Sequence, residues 1–283
     1  MRLIWAATHY PPHLVGGSAE SIRLQAEALA QTGDSVTVVT PRWELKAPAR
    51  ETVWSVTIRR FWPGAWGVRF CPEGRLPSEW TFLRPRWHWR LLRALLRAGP
   101  ADLYHAQDRR VLLATWLVAK LRHRPCVLTL RDVGLLCPIA ICLHRDPTRI
   151  PGDCGQTKLW RECAHDYIGN GASWRLRTRL AIRYAWLSFE RRVARRYGAV
   201  IAVSQGLEQV YRSAWSGVRW SGSVPSPVVT PPTVSQDADR PSVLRVLFVG
   251  KPSLGKGWPQ FFRVVEWAAA RVVPIQFVQI GPR

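Results

Sequence analysis

Two glycine-containing loops carry the clearest chemistry, because each lies between an apolar run and a helical pattern, where backbone N–H groups are left without partners. The first is Gly16-Gly17-Ser18, after the run Leu3 to Thr8 and before Ile22, Ala26 and Leu29 at helical spacing. Flexible backbone at a helix start attracts phosphate or carboxylate, and the same residues also read as a plain turn with Ser18 as N-cap. The loop lacks the G-x-G-x-x-G spacing of a dinucleotide site, which argues against a dehydrogenase. The second loop runs from Gly250 to Gly257 and contains Lys251 and Lys256, two cations able to meet a diphosphate at a helix start. Gly257 stands where a Walker loop needs Ser or Thr for magnesium, which argues against a P-loop NTPase.

Two further clusters invite a chemical reading. Cys137, Cys142, Cys154 and Cys163 form a C-x4-C-x11-C-x8-C set among prolines. Structural zinc, loop disulfides and free thiols all fit it, since the spacing lacks the paired C-x2-4-C knuckles of a strong zinc site. Between residues 174 and 197, Arg175, Arg177, Arg179, Arg183, Arg191, Arg192, Arg195 and Arg196 alternate with Trp174, Leu180, Ile182, Trp186 and Phe189. Such a helix either packs on a sheet with a solvated basic rim or lies on anionic lipid.

The elements that must position these groups follow a β-α-β rhythm. Leu3 to Thr8, a helix ending at Gly33 and Val36 to Val39 form the first unit, which favours a parallel sheet. Further strands are expected at Val53 to Ile58, Asp102 to His105, Cys126 to Leu130 and Ala199 to Val203. Helical patterns separate them at Trp87 to Leu95, Val111 to Leu121 and Trp174 to Tyr197, giving a doubly wound α/β domain. Composition shifts to Ser, Pro, Gly and Val over 216–241, a candidate linker that leaves a first domain of 1–215 with a cysteine-bearing insertion at about 133–170. The strand–loop–helix–strand pattern resumes over 242–283 as the start of a second domain, too small to cover both faces of its own sheet.

Composition bounds the function. The 283 residues, 47% hydrophobic and 21% charged, are enough for a buried core and argue against wholesale disorder. A net charge of +22 favours polyanionic partners, whether phosphorylated substrate, anionic membrane or nucleic acid. No reading motif for nucleic acid accompanies it, so no specific nucleic-acid partner is expected. No apolar run approaches the roughly 18 residues of a bilayer span, and the N-terminus lacks a signal-peptide pattern. The expectation is a cytoplasmic protein, with a peripheral place on the inner membrane face as the second reading.

In order along the chain, His9-Tyr10-Pro11-Pro12 with Gly16-Gly17, then Asp102 to Asp108, Thr129-Leu130-Arg131-Asp132, Ala199 to Ser204, and Phe248-Val249-Gly250-Lys251 with Lys256-Gly257 resemble family 4 glycosyltransferases. The resemblance implies the GT-B fold: an N-terminal Rossmann-like parallel-sheet domain on the acceptor side and the start of a second Rossmann-like domain that binds nucleotide sugar. It implies a hexosyltransferase, acting with retention and without bound metal or cofactor, from a nucleotide-diphosphate-sugar donor to a glycan or lipid-linked acceptor. By the same resemblance Gly16, Gly17, Lys251 and Lys256 bind the donor diphosphate, while His105, Arg131 and Asp132 line the catalytic cleft. Arg131 stands where many relatives carry histidine, and Lys251 where arginine is common. The paired glutamates that hold the donor sugar in the family would fall beyond Arg283, so the resemblance implies a chain short of most of its donor domain, with a non-catalytic binding stub as the alternative.

Overall fold

The computed structural model describes residues 1–13, 16–64, 79–138, 157, 160, 174–229, 243–250, 252 and 256–281. The chain divides into two compact units, Met1–Val228 and Val229–Arg283.

The first unit is an eight-stranded sheet flanked by helices. Its strands are β1 (Arg2–Ala6), β2 (Ser35–Pro41), β3 (Arg50–Val53), β4 (Val56–Phe61), β5 (Leu103–Ala106), β6 (Cys126–Leu130), β7 (Ala199–Ala202) and β8 (Trp220–Ser223), in the order β3-β4-β2-β1-β5-β6-β7-β8. Every pairing is parallel except β3 with β4. The strand order reverses direction at β1, between β2 and β5, which makes the crevice beyond the carboxyl ends of β1 and β5 the place where such sheets bind ligands.

Side-chain alternation sorts the core into two layers. Ile4 and Ala6 of β1 join Tyr104, Ala106, Leu128, Leu130 and Val200 on one face. That face is covered by α3 (Pro85–Ala98) through Trp87, Leu91 and Leu95, by α4 (Leu112–Leu121), by α5 (Trp174–Ala194) through Leu187 and Val193, and by α6 (Gln205–Ala214) through Tyr211. A short helix, α2 (Glu79–Leu83), precedes α3, which begins at Pro85 where a missing N–H costs nothing. On the other face Leu3, Trp5, Val36, Val38 and Ile58 pack against Ile22 and Ala26 of α1 (Gly17–Gln31). Strands buried from both sides lose the polar–apolar alternation of a half-exposed strand, and so read as continuous apolar runs.

The structure departs from the sequence reading in three places. The stretch expected as one strand from Val53 to Ile58 holds the end of β3 at Val53, a hairpin turn at Trp54 and Ser55 with φ 52 and 64, and the first half of β4 from Val56. Two-residue turns of this hand usually carry Asn-Gly, so the signal was absent. The linker expected over 216–241 opens with β8, whose Trp220 pairs with Val200, after an α6 that the sequence reading did not find. Ser18 is not the N-cap of α1; that position belongs to Gly16, two residues earlier, at φ 80 and with no side chain to cap the helix.

The second unit has one β-α-β crossover: β9 (Leu244–Val249), α7 (Trp258–Ala270) and β10 (Ile275–Ile280), with the strands in parallel register. Phe248 packs on Trp258 and Phe261 at 5.0 and 5.1 Å between ring centroids, and Phe277 adds to Phe261 at 5.7 Å. Leu244 and Val249 remain exposed, as expected where a single helix serves two strands.

Left-handed conformation costs a non-glycine residue about 1 kcal/mol or more. Replacing Trp54 by Asn and Ser55 by Gly should therefore stabilise the first unit by about 1–2 kcal/mol. A thermal melt reads it; an unchanged or lowered midpoint would refute the assigned turn.

Candidate functional site

The carboxyl ends of β1, β5 and β6 meet at the switch point, and a carboxylate ties the first two together. Asp108 accepts from the Thr8 backbone N–H at 2.9 Å, the Thr8 hydroxyl at 2.8 Å and the Arg110 N–H at 2.8 Å. The Gln107 N–H donates to the Ala6 carbonyl at 2.9 Å, continuing the ladder one step past the strands. Trp43 fixes the outgoing β1 loop from the side by donating its indole N–H to the Thr8 carbonyl at 2.7 Å.

Arg131, the first residue past β6, crosses this rim. Its Nε donates to the Gln107 carbonyl at 3.0 Å, one Nη to the Ser21 hydroxyl at 3.1 Å, and the other to Gln107 Oε1 at 2.7 Å and Gln25 Oε1 at 3.3 Å. Every one of these acceptors is neutral. Burial lowers the guanidinium pKa to about 10, with Asp108 pulling the other way, so Arg131 remains charged at neutral pH. The side chain thereby ties α1, through Ser21 and Gln25, to the ends of β5 and β6.

The same contacts set the state of His105. Because Gln107 Oε1 accepts from Arg131, its amide nitrogen faces His105 Nδ1, 3.3 Å away, and can only donate. Nδ1 is then the acceptor, and the ring proton lies on Nε2, 2.7 Å from Thr129 Oγ1. Burial first, and the Arg131 charge second, push the imidazole pKa down to about 3. The ring lies edge-on to Trp5 at 5.2 Å and lines a pocket of about 420 Å³ walled by Leu3, Leu29, Leu103 and Ile201. His105 thus sits on the sheet face beside α1, while Arg131 and Asp132 sit at the rim.

Asp132 is exposed at the end of β6. One carboxylate oxygen, Oδ1, accepts the Gly134 N–H at 2.7 Å, and the Tyr211 hydroxyl donates to its backbone carbonyl at 2.9 Å. Among the described residues nothing lies within 4 Å of a Cβ built at Gly16 or Gly17, so they leave space open at the start of α1. In the second unit, Lys256 is exposed and precedes Gly257, the left-handed N-cap of α7 with φ 77. Lys251 lies outside the described residues. So do Cys142, Cys154 and Cys163; Cys137 is described and buried.

Sequence reasoning gave no role to Gln107, Ser21, Gln25, Thr129 or Thr8. Gln107 carried no signal in the sequence beyond its place directly after a strand; the structure shows it as a fully buried amide, and such an amide must be satisfied from both ends.

The relay fixes an expectation for Gln107→Glu. A carboxylate only accepts, so Nδ1 of His105 must gain a proton, and the ring should change tautomer or titrate near neutrality. Nitrogen NMR of the imidazole should show neutral Nε2–H in the parent from pH 8 to 5 and the altered form in the variant; no difference between them would refute the relay. His88, which burial pushes down to about 4, also stays neutral in the fold. Unfolded histidines bind protons below about 6.5, so both favour the fold above that pH, and the melting midpoint should fall as pH drops from 7 to 5.

The profile of the family described as glycosyl transferase 4-like domain matches residues 16–220, well over half of the 283-residue chain. No curated protein sequence matches the chain. Among solved structures, sucrose-phosphate synthase from Thermosynechococcus elongatus is similar at a TM-score of 0.58 and 15% identity, covering 99% of this chain and 70% of that one. The α,α-trehalose 6-phosphate synthase from Burkholderia multivorans is similar at 0.57 and 14%, covering 100% and 65%. The glycotransferase of kitacinnamycin is similar at 0.53 and 15%, covering 100% and 66%. At these identities the structures speak for the fold, and this chain spans about two thirds of their length. The parallel sheet with its switch point, the rim at β1, β5 and β6 and the matched profile together place this chain in the glycosyl transferase 4-like family, with a Rossmann-like first unit of the GT-B type.

Proposed function

We propose that this protein takes part in transfer of a hexosyl group from a nucleotide-diphosphate sugar to a glycan or lipid-linked acceptor, with retention and without a divalent ion. The observation that supports the reading is the start of α1, where, among the described residues, Gly16 and Gly17 leave backbone amides under open space while Arg131 anchors the helix behind them through Ser21 and Gln25. As the sugar departs, negative charge grows on the diphosphate, and donors already in place stabilise it at no cost in reorganisation. In the second unit Lys256 offers a cation at the start of α7, and the family resemblance adds Lys251 to the same task.

The acceptor side of the reading rests on Asp132. Its Oδ1 is engaged by Gly134, which orients the carboxylate at the rim to position a hydroxyl. His105, neutral and hydrogen-bonded to Thr129 and Gln107, is assigned a positioning role behind the rim.

Gly17 has ordinary helical backbone and an unobstructed Cβ, so Gly17→Ala should leave the melting midpoint unchanged. If a diphosphate approaches this backbone, the added methyl should weaken binding of nucleoside diphosphate by roughly tenfold in calorimetry, equivalent to about 1.4 kcal/mol. Equal affinity in parent and variant, or no binding by the parent, would overturn the assignment of this loop. Release of nucleoside diphosphate from a panel of nucleotide sugars then tests turnover.

A further inference from the structure

We infer that the pocket between α1 and the β3–β4 hairpin is a carbohydrate-binding subsite, built for a neutral sugar unit of a glycan. In its choice of ligand the inference rests on the acceptor reading proposed above, and its test measures binding with no donor present, so the two fail separately.

The pocket holds about 440 Å³, within the range of small-molecule sites. α1 separates it from the rim. Ser21 and Gln25 face Arg131, whereas Arg23 and Glu27, each two residues further on and so on the opposite side of the helix, line the pocket. The hairpin supplies the facing wall through Glu51 and Trp54. Buried Arg60 donates to the carbonyls of Pro48 and Pro11 at 3.0 and 2.6 Å and pairs with Glu51, which ties the hairpin to the loop after β1 and holds the cavity in shape.

An unsatisfied group points to a ligand. Tyr10 lines the pocket and is only 4% exposed, yet its hydroxyl has no hydrogen-bond partner among the described residues. A buried phenol normally has one. Burial first, and the Glu27 carboxylate second, push its pKa up, so it stays protonated and able to donate.

Charge and shape then select the ligand's class. Arg23 pairs with Glu20 and Glu27, and Arg60 with Glu51, so two guanidiniums meet three carboxylates in a chain of net charge +22. A phosphate would meet a net negative charge here, and an organic cation would meet two arginines; sugar hydroxyls suit carboxylates that still have lone pairs free to accept. Trp54 completes the match. It is 69% exposed and sits at φ 52, so it pays for left-handed backbone without the return of burial. A pyranose offers apolar ring C–H groups to such an indole face and hydroxyls to the polar groups around it.

The test is titration of the whole chain with neutral trisaccharides of glucose, galactose, mannose, rhamnose or N-acetylglucosamine, read by ligand-observed NMR and calorimetry. At least one should bind, and its affinity should fall about tenfold in Trp54→Asn and about fivefold in Tyr10→Phe. Trp89→Gln, which removes an exposed indole from α3, should bind as the parent does. Thermal melts report on folding: Tyr10→Phe removes no hydrogen bond of the free protein and Trp54→Asn eases the turn, so neither midpoint should fall. The inference is overturned if no trisaccharide binds, if Trp54→Asn and Tyr10→Phe bind as the parent does, or if Trp89→Gln is equally impaired. It is overturned too if Tyr10→Phe melts lower, which would mean that the hydroxyl is already satisfied, or if tetramethylammonium or inorganic phosphate binds more tightly than any sugar and loses that binding in Trp54→Asn.

Discussion

A cation withdrawn from water organises the rim of this sheet. Arg131 has hydrogen-bond partners on β5's outgoing loop and on α1, and none of them is a carboxylate. A partly buried charge held only by neutral dipoles is costly unless every dipole is correctly aimed. That cost fixes what surrounds it: the Gln107 amide has one orientation, Ser21 and Gln25 must face β6, and α1 is tied to the strand ends. A histidine at this position could not do the same, since its two ring nitrogens cannot serve four acceptors. The Arg-Asp pair is therefore a structural commitment as well as a departure from the common His-Asp pattern.

The consequence reaches His105 through a single amide. With its tautomer set and its pKa pushed down, the imidazole is a neutral hydrogen-bonding strut between β5 and β6. Its position follows from the pleat. Leu103 and His105 share a face with Leu3 and Trp5, whereas Tyr104 and Ala106 point to the opposite layer. A side chain at that place in a strand meets the sheet's face and not the crevice at its end, which is why rim chemistry falls to the residues that follow the strands.

What the sequence revealed, and what it hid, follow from the range of the forces involved. Local repetition marked β6 at its observed bounds, as well as the middle of α3, because apolar periodicity is written into neighbouring residues. The β3–β4 hairpin was hidden, since Trp54 and Ser55 enter the left-handed region without the residues that usually signal it. β8 was hidden because the polar Trp220-Ser221-Gly222-Ser223 owes its place to pairing with β7 and to Trp220 packing beside Tyr211. At the site, glycines and basic residues showed their chemistry by type alone. Gln107 and Ser21 did not, because their importance lies in contacts made across more than 20 and more than 100 residues of chain.

The charge of +22 overstates how much of the basic surface is available to partners. Arg131 is spent on the rim, and Arg60 is buried between the Pro11 and Pro48 carbonyls and Glu51. On α5, Arg191 donates to the Leu135 and Leu136 carbonyls and Arg183 to the Pro138 carbonyl, so the inner side of this helix clamps the chain leaving β6. Arginine suits this work because its planar fork meets several carbonyls at once and keeps its charge when partly buried. The same helix therefore divides its arginines by face: those turned inward stabilise the backbone beyond β6, and those turned outward, among them Arg192, give the surface its potential. Composition counts the two kinds alike; only the fold separates them.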